Sequence, residues 1–183
     1  MSFPHPLKTL RLLPVLLVLL LASLRATAQT ASTPSFANLP GHPRILLLAG
    51  EEAAIREMVA PAGGWQKLHQ AILTECDSLD GLPPIERVQV GRRLLDKSRE
   101  CLRRVFYLSY AYRVTGQASY LKRAEREMLA VAAFSDWNPS HFLDVAEMTM
   151  GMAIGYDWLH AGLSDSAKVR IREAILKKGI EPS

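Results

Sequence analysis

After residue 48 no stretch alternates with the period of two that a half-buried strand needs, and the apolar positions recur at helical steps instead. Glu51 and Glu52 follow Gly50 as acids suited to a first turn. They predict a short helix over 51–59, broken by Pro61 and the pair Gly63-Gly64. Trp65, Leu68, Ile72, Cys76 and Leu79 step at +3, +4, +4 and +3, one face of a second helix that DGLPP at 80–84 ends. A third helix runs to about Thr115 with Leu94, Cys101, Leu102, Val105, Leu108 and Tyr112 inward and Gly116 as its left-handed stop. Arg99, Arg103 and Arg104 lie off that face, and Glu100 and Arg104 form a favourable i,i+4 pair. Ser119 fits the cap of a fourth helix over about 120–133. Its Tyr120, Ala124 and Met128 oppose Lys122, Arg123, Arg126 and Glu127. Ser164 fits the cap of a last helix, with Ala167, Ile171 and Ala174 inward and Gly179 as its stop. Before these, RILLL at 44–48 reads as one extended strand packed on the body.

The helix that starts near Pro139 has a different pattern. Leu143, Met148, Met150, Met152, Ile154 and Tyr156 make it apolar nearly all round, which predicts burial. Ala146, Gly151, Ala153 and Gly155 leave room for neighbouring helices to approach closely. At its start, Asn138 suits the N-cap and Pro139 the first helical position, and Trp137 can staple onto Phe142. The expected fold class is therefore all-α: helical hairpins with a buried helix alternating with surface helices, stacked as in a solenoid or an (α/α) toroid.

The N-terminus changes how the charge is read. Lys8 and Arg11 precede an apolar run over 12–24, shorter than the roughly 20 residues a bilayer span needs, and Ala26-Thr27-Ala28 follows with small residues. Residues 1–28 are expected to be a cleaved secretory signal, 29–43 a Ser/Thr/Pro-rich extended lead-in, and 44–183 the helical domain. The 183-residue chain carries a net charge of +4; cleavage removes Lys8, Arg11 and Arg25 with no acid and leaves +1. So neutral a body gives no electrostatic case for nucleic acid, and no membrane association is expected after cleavage. The expected address is periplasmic or secreted, where disulfides are permitted. Cys76 and Cys101 fall at different levels of consecutive antiparallel helices, at about 1.5 Å per residue, so two buried free thiols are expected.

The segment WNPSHFLDVAEMTMGMAIGYDWLH, residues 137–160, gathers most of the candidate chemistry. Ser140 and His141 lie in a helical first turn, where N–H groups and the macrodipole favour an anion such as a carboxylate or sulfate. Glu147 shares a face with Leu143, Met150 and Ile154. A carboxylate buried there needs a partner, with Arg99 and Arg103 the candidates, or serves as an acid or base at a cleft. Asp144 reads as a first-turn acid, Asp157 as a buried group that hydrogen-bonds between helices, and Tyr156-Asp157-Trp158 as core or the lining of a sugar site. The histidines have no metal-ligand spacing, and no Gly-rich phosphate loop or G-x-S-x-G elbow is present, so no metal or cofactor is implied.

HPRILLLAGEE, SRECLRRVFYLSYAYRVTGQASYLKRAEREML and WNPSHFLDVAEMTMGMAIGYDWLH together resemble the N-terminal helical domain of the heparinase II/III-like polysaccharide lyases, a superfamily that includes alginate and oligoalginate lyases. The block from Trp137 to Trp158 is the most specific part; AYRVTGQASYLKRAE also resembles tetratricopeptide repeats. The resemblance implies an incomplete (α/α) toroid, followed in full-length members by β-sandwich domains, in an enzyme that cleaves uronic-acid glycans by β-elimination. It places the family's Asn or His motif, Tyr and further His downstream of Ser183. No catalytic residue is therefore carried onto this chain. His141, Trp137 and Arg99 are the expected substrate-binding contributors to the cleft wall, and Glu147 and Asp157 the structural buried charges.

A partial toroid would leave an apolar patch without a partner, and residues 29–183 alone are then expected to be aggregation-prone and inactive. Two other readings stay open. A glycoside hydrolase on a similar toroid needs two carboxylates across a cleft, which only Glu147 with Asp144 or Asp157 supplies locally. A secreted helical-repeat binding module would show a repeat of roughly 34 residues, and none recurs cleanly.

Overall fold

A computed structural model describes residues 39–182; the expected signal over 1–28 and most of the lead-in lie outside them. The described residues are helical and contain no strand, only an isolated bridge between Val90 and Arg93. The helices are α1 (Glu52–Val59), α2 (Gly64–Ser78), α3 (Leu95–Thr115), α4 (Ala118–Ala132), α5 (Phe142–Leu159) and α6 (Asp165–Ala174), which continues into a π-helical turn, Ile175–Ile180. None of them is long and apolar enough to cross a membrane.

The most extensive packing joins α3 to α5. Helix α4 turns back along α3, α6 turns back along α5, and α4 and α6 pack against each other. Two helical hairpins therefore lie side by side, with α3 and α5 as one pair of neighbours and α4 and α6 as the other. Cys101, Val105 and Leu108 from α3, Ala124, Met128 and Val131 from α4, and Met148 and Met152 from α5 fill the space between them. Close approach depends on two glycines of α5. A Cβ on Gly151 would sit 2.9 Å from the Cα of Leu102, and one on Gly155 would sit 2.4 Å from Val105 Cγ1 and 2.8 Å from Met128 Sδ. Gly116 adopts φ 75°, and its N–H closes the end of α3 on the Tyr112 carbonyl, as a left-handed stop should. Ser164 caps α6 by accepting from the Ala167 N–H.

Several expectations fail, each for a local reason. RILLL is not a strand. Leu46 takes φ 59° inside a turn closed from the Leu47 N–H to the Ile45 carbonyl, and only Leu47 is buried. No neighbouring strand takes its polar groups; side chains of α3 and α5 do. On α2, Trp65 and Leu68 are 61% and 51% exposed, because α1 closes only part of that face. With Ile55, Met58, Ile72 and Tyr110 they line an apolar groove of about 200 Å³. Ser119 does not cap α4; the Gln117 N–H turns back onto Thr115 Oγ1. Gly179 is no stop, since it lies within the π-helical turn and packs on Trp137 and Thr149 of α5.

The polar side of α4 is the largest departure. Arg123 and Glu127 are buried, as is Arg104 of α3, which had been placed off the packed face. Glu127 accepts from Arg104 Nη1 at 2.9 Å, from Arg123 Nε at 2.8 Å and from the Ile85 N–H at 2.9 Å. The two guanidinium groups also reach the carbonyls of Leu82 and Pro83, so the triad fastens the DGLPP loop. Amphipathic patterning misses this because charges placed between two helices are buried when they satisfy one another.

Cys76 and Cys101 are both free and buried, as expected. Burial, with the Asp77 charge beside it, pushes the Cys76 thiol up to about 12, and burial raises Cys101 as well. Neither is a nucleophile at neutral pH.

Candidate functional site

Helix α5 owes its start to a loop rather than to the expected cap. Asn138 adopts the left-handed conformation at φ 62°, which Asn tolerates better than most residues, and His141 occupies the N-cap position without a side-chain cap bond. The expected staple is absent. Trp137 is fully buried, its indole N–H donating to the Val131 carbonyl at 3.2 Å, while Phe142 is 60% exposed. Asn138 ties the loop together through its side chain. Its Nδ2 donates to the Arg92 carbonyl at 2.9 Å and to Asp144 Oδ2 at 2.7 Å, and its Oδ1 accepts from Ser140 Oγ and Gln89 Nε2.

Asp144 is the centre of this end. It is fully buried and accepts from the Leu94 N–H at 2.7 Å and from Arg93 Nη2 at 2.9 Å as well as from Asn138. Burial by itself would raise the carboxyl; the three donors and the Arg93 charge outweigh it and hold Asp144 below the usual 3.8. The sequence reading made Asp144 only a first-turn acid, whereas it fixes the entry to α3 and to α5 together.

One turn on, Glu147 is half-buried. It accepts from Ser98 Oγ at 3.0 Å and from Arg99 Nε at 3.4 Å. Arg99 is thus the partner, and Arg103 pairs with Glu75 of α2 instead. The Arg99 side chain stays 60% exposed and that of Arg93 39% exposed. Ser140 and His141 touch each other at 3.2 Å at the same end of the helix. Of the expected wall residues, His141 lies at the start of α5 and Arg99 reaches α5 from α3 through Glu147. Trp137 is fully buried and has no face left for a ligand.

Family models and curated protein sequences return no match to this chain.

The other end of α5 brings together residues that the sequence reading left apart. Asp157 is buried, and its donors come from the segment ahead of α1 rather than from a helix: the Arg44 N–H at 2.8 Å, the Ile45 N–H at 3.0 Å and His42 Nδ1 at 2.5 Å. Trp158 Nε1 donates to the Ile45 carbonyl at 2.9 Å, and Arg113 lies 5.3 Å from the centre of the Trp158 ring. Arg113 also donates to the carbonyls of Leu47 and Leu48 and pairs with Glu52. His42 stacks on His160 with ring centres 4.1 Å apart, and Tyr156 meets both rings edge-on. The HPR tripeptide ahead of a helical domain that contains a buried YDW was the available signal. Periodicity could not use it, because one partner is not on a helix.

Among the described residues, no His, Cys, Asp or Glu cluster is arranged to hold a metal. The His42–Asp157 pair has the form of a base and its orienting acid, but the second ring nitrogen faces Arg44 Nη2 and no hydroxyl or thiol. Asp144, Glu147 and Asp157 are all committed to hydrogen bonds within the fold, so none is poised as an acid or base across an open cleft.

Proposed function

We propose that this chain is the helical domain of an exported polysaccharide lyase that acts on uronic-acid glycans, with its hairpins forming part of an (α/α) toroid. The N-terminal end of α5 serves as a wall of the glycan cleft and supplies no reacting group. The observation that carries this reading is the rim itself: Arg99 remains exposed and Arg93 partly so while each holds a carboxylate of α5, at the helix end that also carries Ser140 and His141. Cations held in place by their own ion pairs are preorganised for a second anion, and a uronate carboxylate is the anion that β-elimination requires to be neutralised. The resemblance across residues 137–160 to heparinase II/III-like lyases supports the same assignment.

In such an elimination a base removes the C5 proton, the electron pair forms the C4–C5 double bond, and the C4 oxygen leaves with a proton from an acid. Incubating the full protein with uronate polymers tests the proposal. A lyase yields an unsaturated product and rising ultraviolet absorbance. New reducing ends without that absorbance would assign a hydrolase, and saturable binding without any product would assign a glycan-binding module.

A further inference from the structure

Residues 42–48 form a strap over the C-terminal end of α5. Asp157 holds it through two backbone N–H groups, Trp158 through the Ile45 carbonyl, and Arg113 through the carbonyls of Leu47 and Leu48. Leu47 then packs into a small cluster with Ile154 and Trp158.

The orientation of the His42 ring is set by its neighbours. A guanidinium only donates, so Nε2 must accept from Arg44, and Nδ1 carries the proton donated to Asp157. His42 therefore sits between one donor and one acceptor, stacked on His160 at 4.1 Å and an interplanar angle of 19°. The groups that face this pair are Asp157 and Tyr156 from α5, Arg44 from the strap and Lys168 from α6. Asp157 thus faces the Arg44 and Lys168 cations, and Lys168 is itself paired with Asp165 of α6 at 3.2 Å.

We propose that the His42–His160 stack is an acid-sensitive latch that releases the strap, residues 42–48, from α5. A proton on His42 Nε2 would point at the Arg44 guanidinium and end that hydrogen bond. A proton on His160 would place a cation face-on against the His42 ring, with Arg44 and Lys168 nearby. Burial, and after it His42, Lys168 and Arg44, hold His160 below its ordinary 6.5 against the opposing pull of Asp157. For a group depressed in the folded state, the stabilisation is complete above the ordinary value and is lost as pH falls through the folded one. The latch is therefore closed at neutral pH and opens on the acid side of 6.5, uncovering Ile154 and Trp158.

Hydrogen exchange of the Arg44 and Ile45 amides in the intact chain, corrected for intrinsic rates, reads the latch directly. Between about pH 7.5 and about pH 5 their opening should increase several-fold, while core amides of α3 such as Leu108 do not change. His160→Phe keeps a ring in the stack without a proton to gain and should flatten this step. Lys168→Gln removes a facing cation from outside the stack and should move the midpoint upward by a few tenths of a pH unit. Strap amides that open equally at both pH values would overturn the proposal. So would a Lys168→Gln midpoint that stays put or falls, a result that holds even if His160→Phe does not fold.

Discussion

Asp144, in the first turn of α5, and Asp157, in its last, each collect backbone N–H groups from segments remote in sequence. At the Asp144 end the donors are the Leu94 N–H, an asparagine and an arginine, and the neighbouring cations stay in contact with solvent. At the Asp157 end a strap lies over the carboxylate, and Arg113 is turned inward onto carbonyls, Glu52 and an indole face. The same device, a buried acceptor on the inner helix, thus gives one open end and one closed end. Positive charge that only completes the fold is used up there. Positive charge with exposure left over can serve a ligand.

Substitutions can break this contrast, and the largest effect should come from beneath the open end. Trp137→Ala should cost about 3–5 kcal/mol in denaturant unfolding, as a fully buried aromatic does, whereas Phe142→Ala should fall within about 0.5 kcal/mol because no staple forms. Equal costs would restore the staple. Asp144→Ala should cost about 3 kcal/mol, since it strands the buried Leu94 N–H and leaves Arg93 without its partner. Asp157→Ala should cost about 2 kcal/mol, and the loss should concentrate in faster proteolysis within 42–48 rather than in global unfolding. Arg99→Ala should change stability by less than about 0.5 kcal/mol and yet weaken oligouronate binding, because its ion pair is largely exposed.

Acid sharpens the same contrast. Asp144 is held below 3.8, so its stabilisation is complete above that value and is lost only as pH falls through the lower folded one. His160 responds first, on the acid side of 6.5. Lowering the pH should therefore free the strap before the Asp144 end loosens, two separate steps in an exchange experiment.

The helices were legible because their apolar faces repeat and their stops are chemical. Gly116 and Ser164 act as read, but α5, apolar nearly all round, is buried on one side only: Phe142, Leu143 and Met150 stay exposed, since no described element packs on that face. The buried triad Arg104–Glu127–Arg123 was not legible, since a charge on a helix counts as solvated until its partners on another element are known. Glu147 found Arg99, one of its two expected partners, because both sit on long helices of readable phase. The strap failed for the opposite reason. RILLL has strand composition, but its hydrogen-bond partners are side chains of α3 and α5. Asp157 was read as a buried hydrogen-bonding group, correctly, and assigned to the wrong kind of partner.

The contrast between the ends is tested most directly by mapping a uronate oligosaccharide onto the chain by amide chemical-shift perturbation. Saturable shifts at Ser140, His141 and Arg99, with none from Pro43 to Leu48 or from Tyr156 to His160, are the predicted result. Shifts centred on the strap, or no saturable shift at the rim of α5, would contradict it.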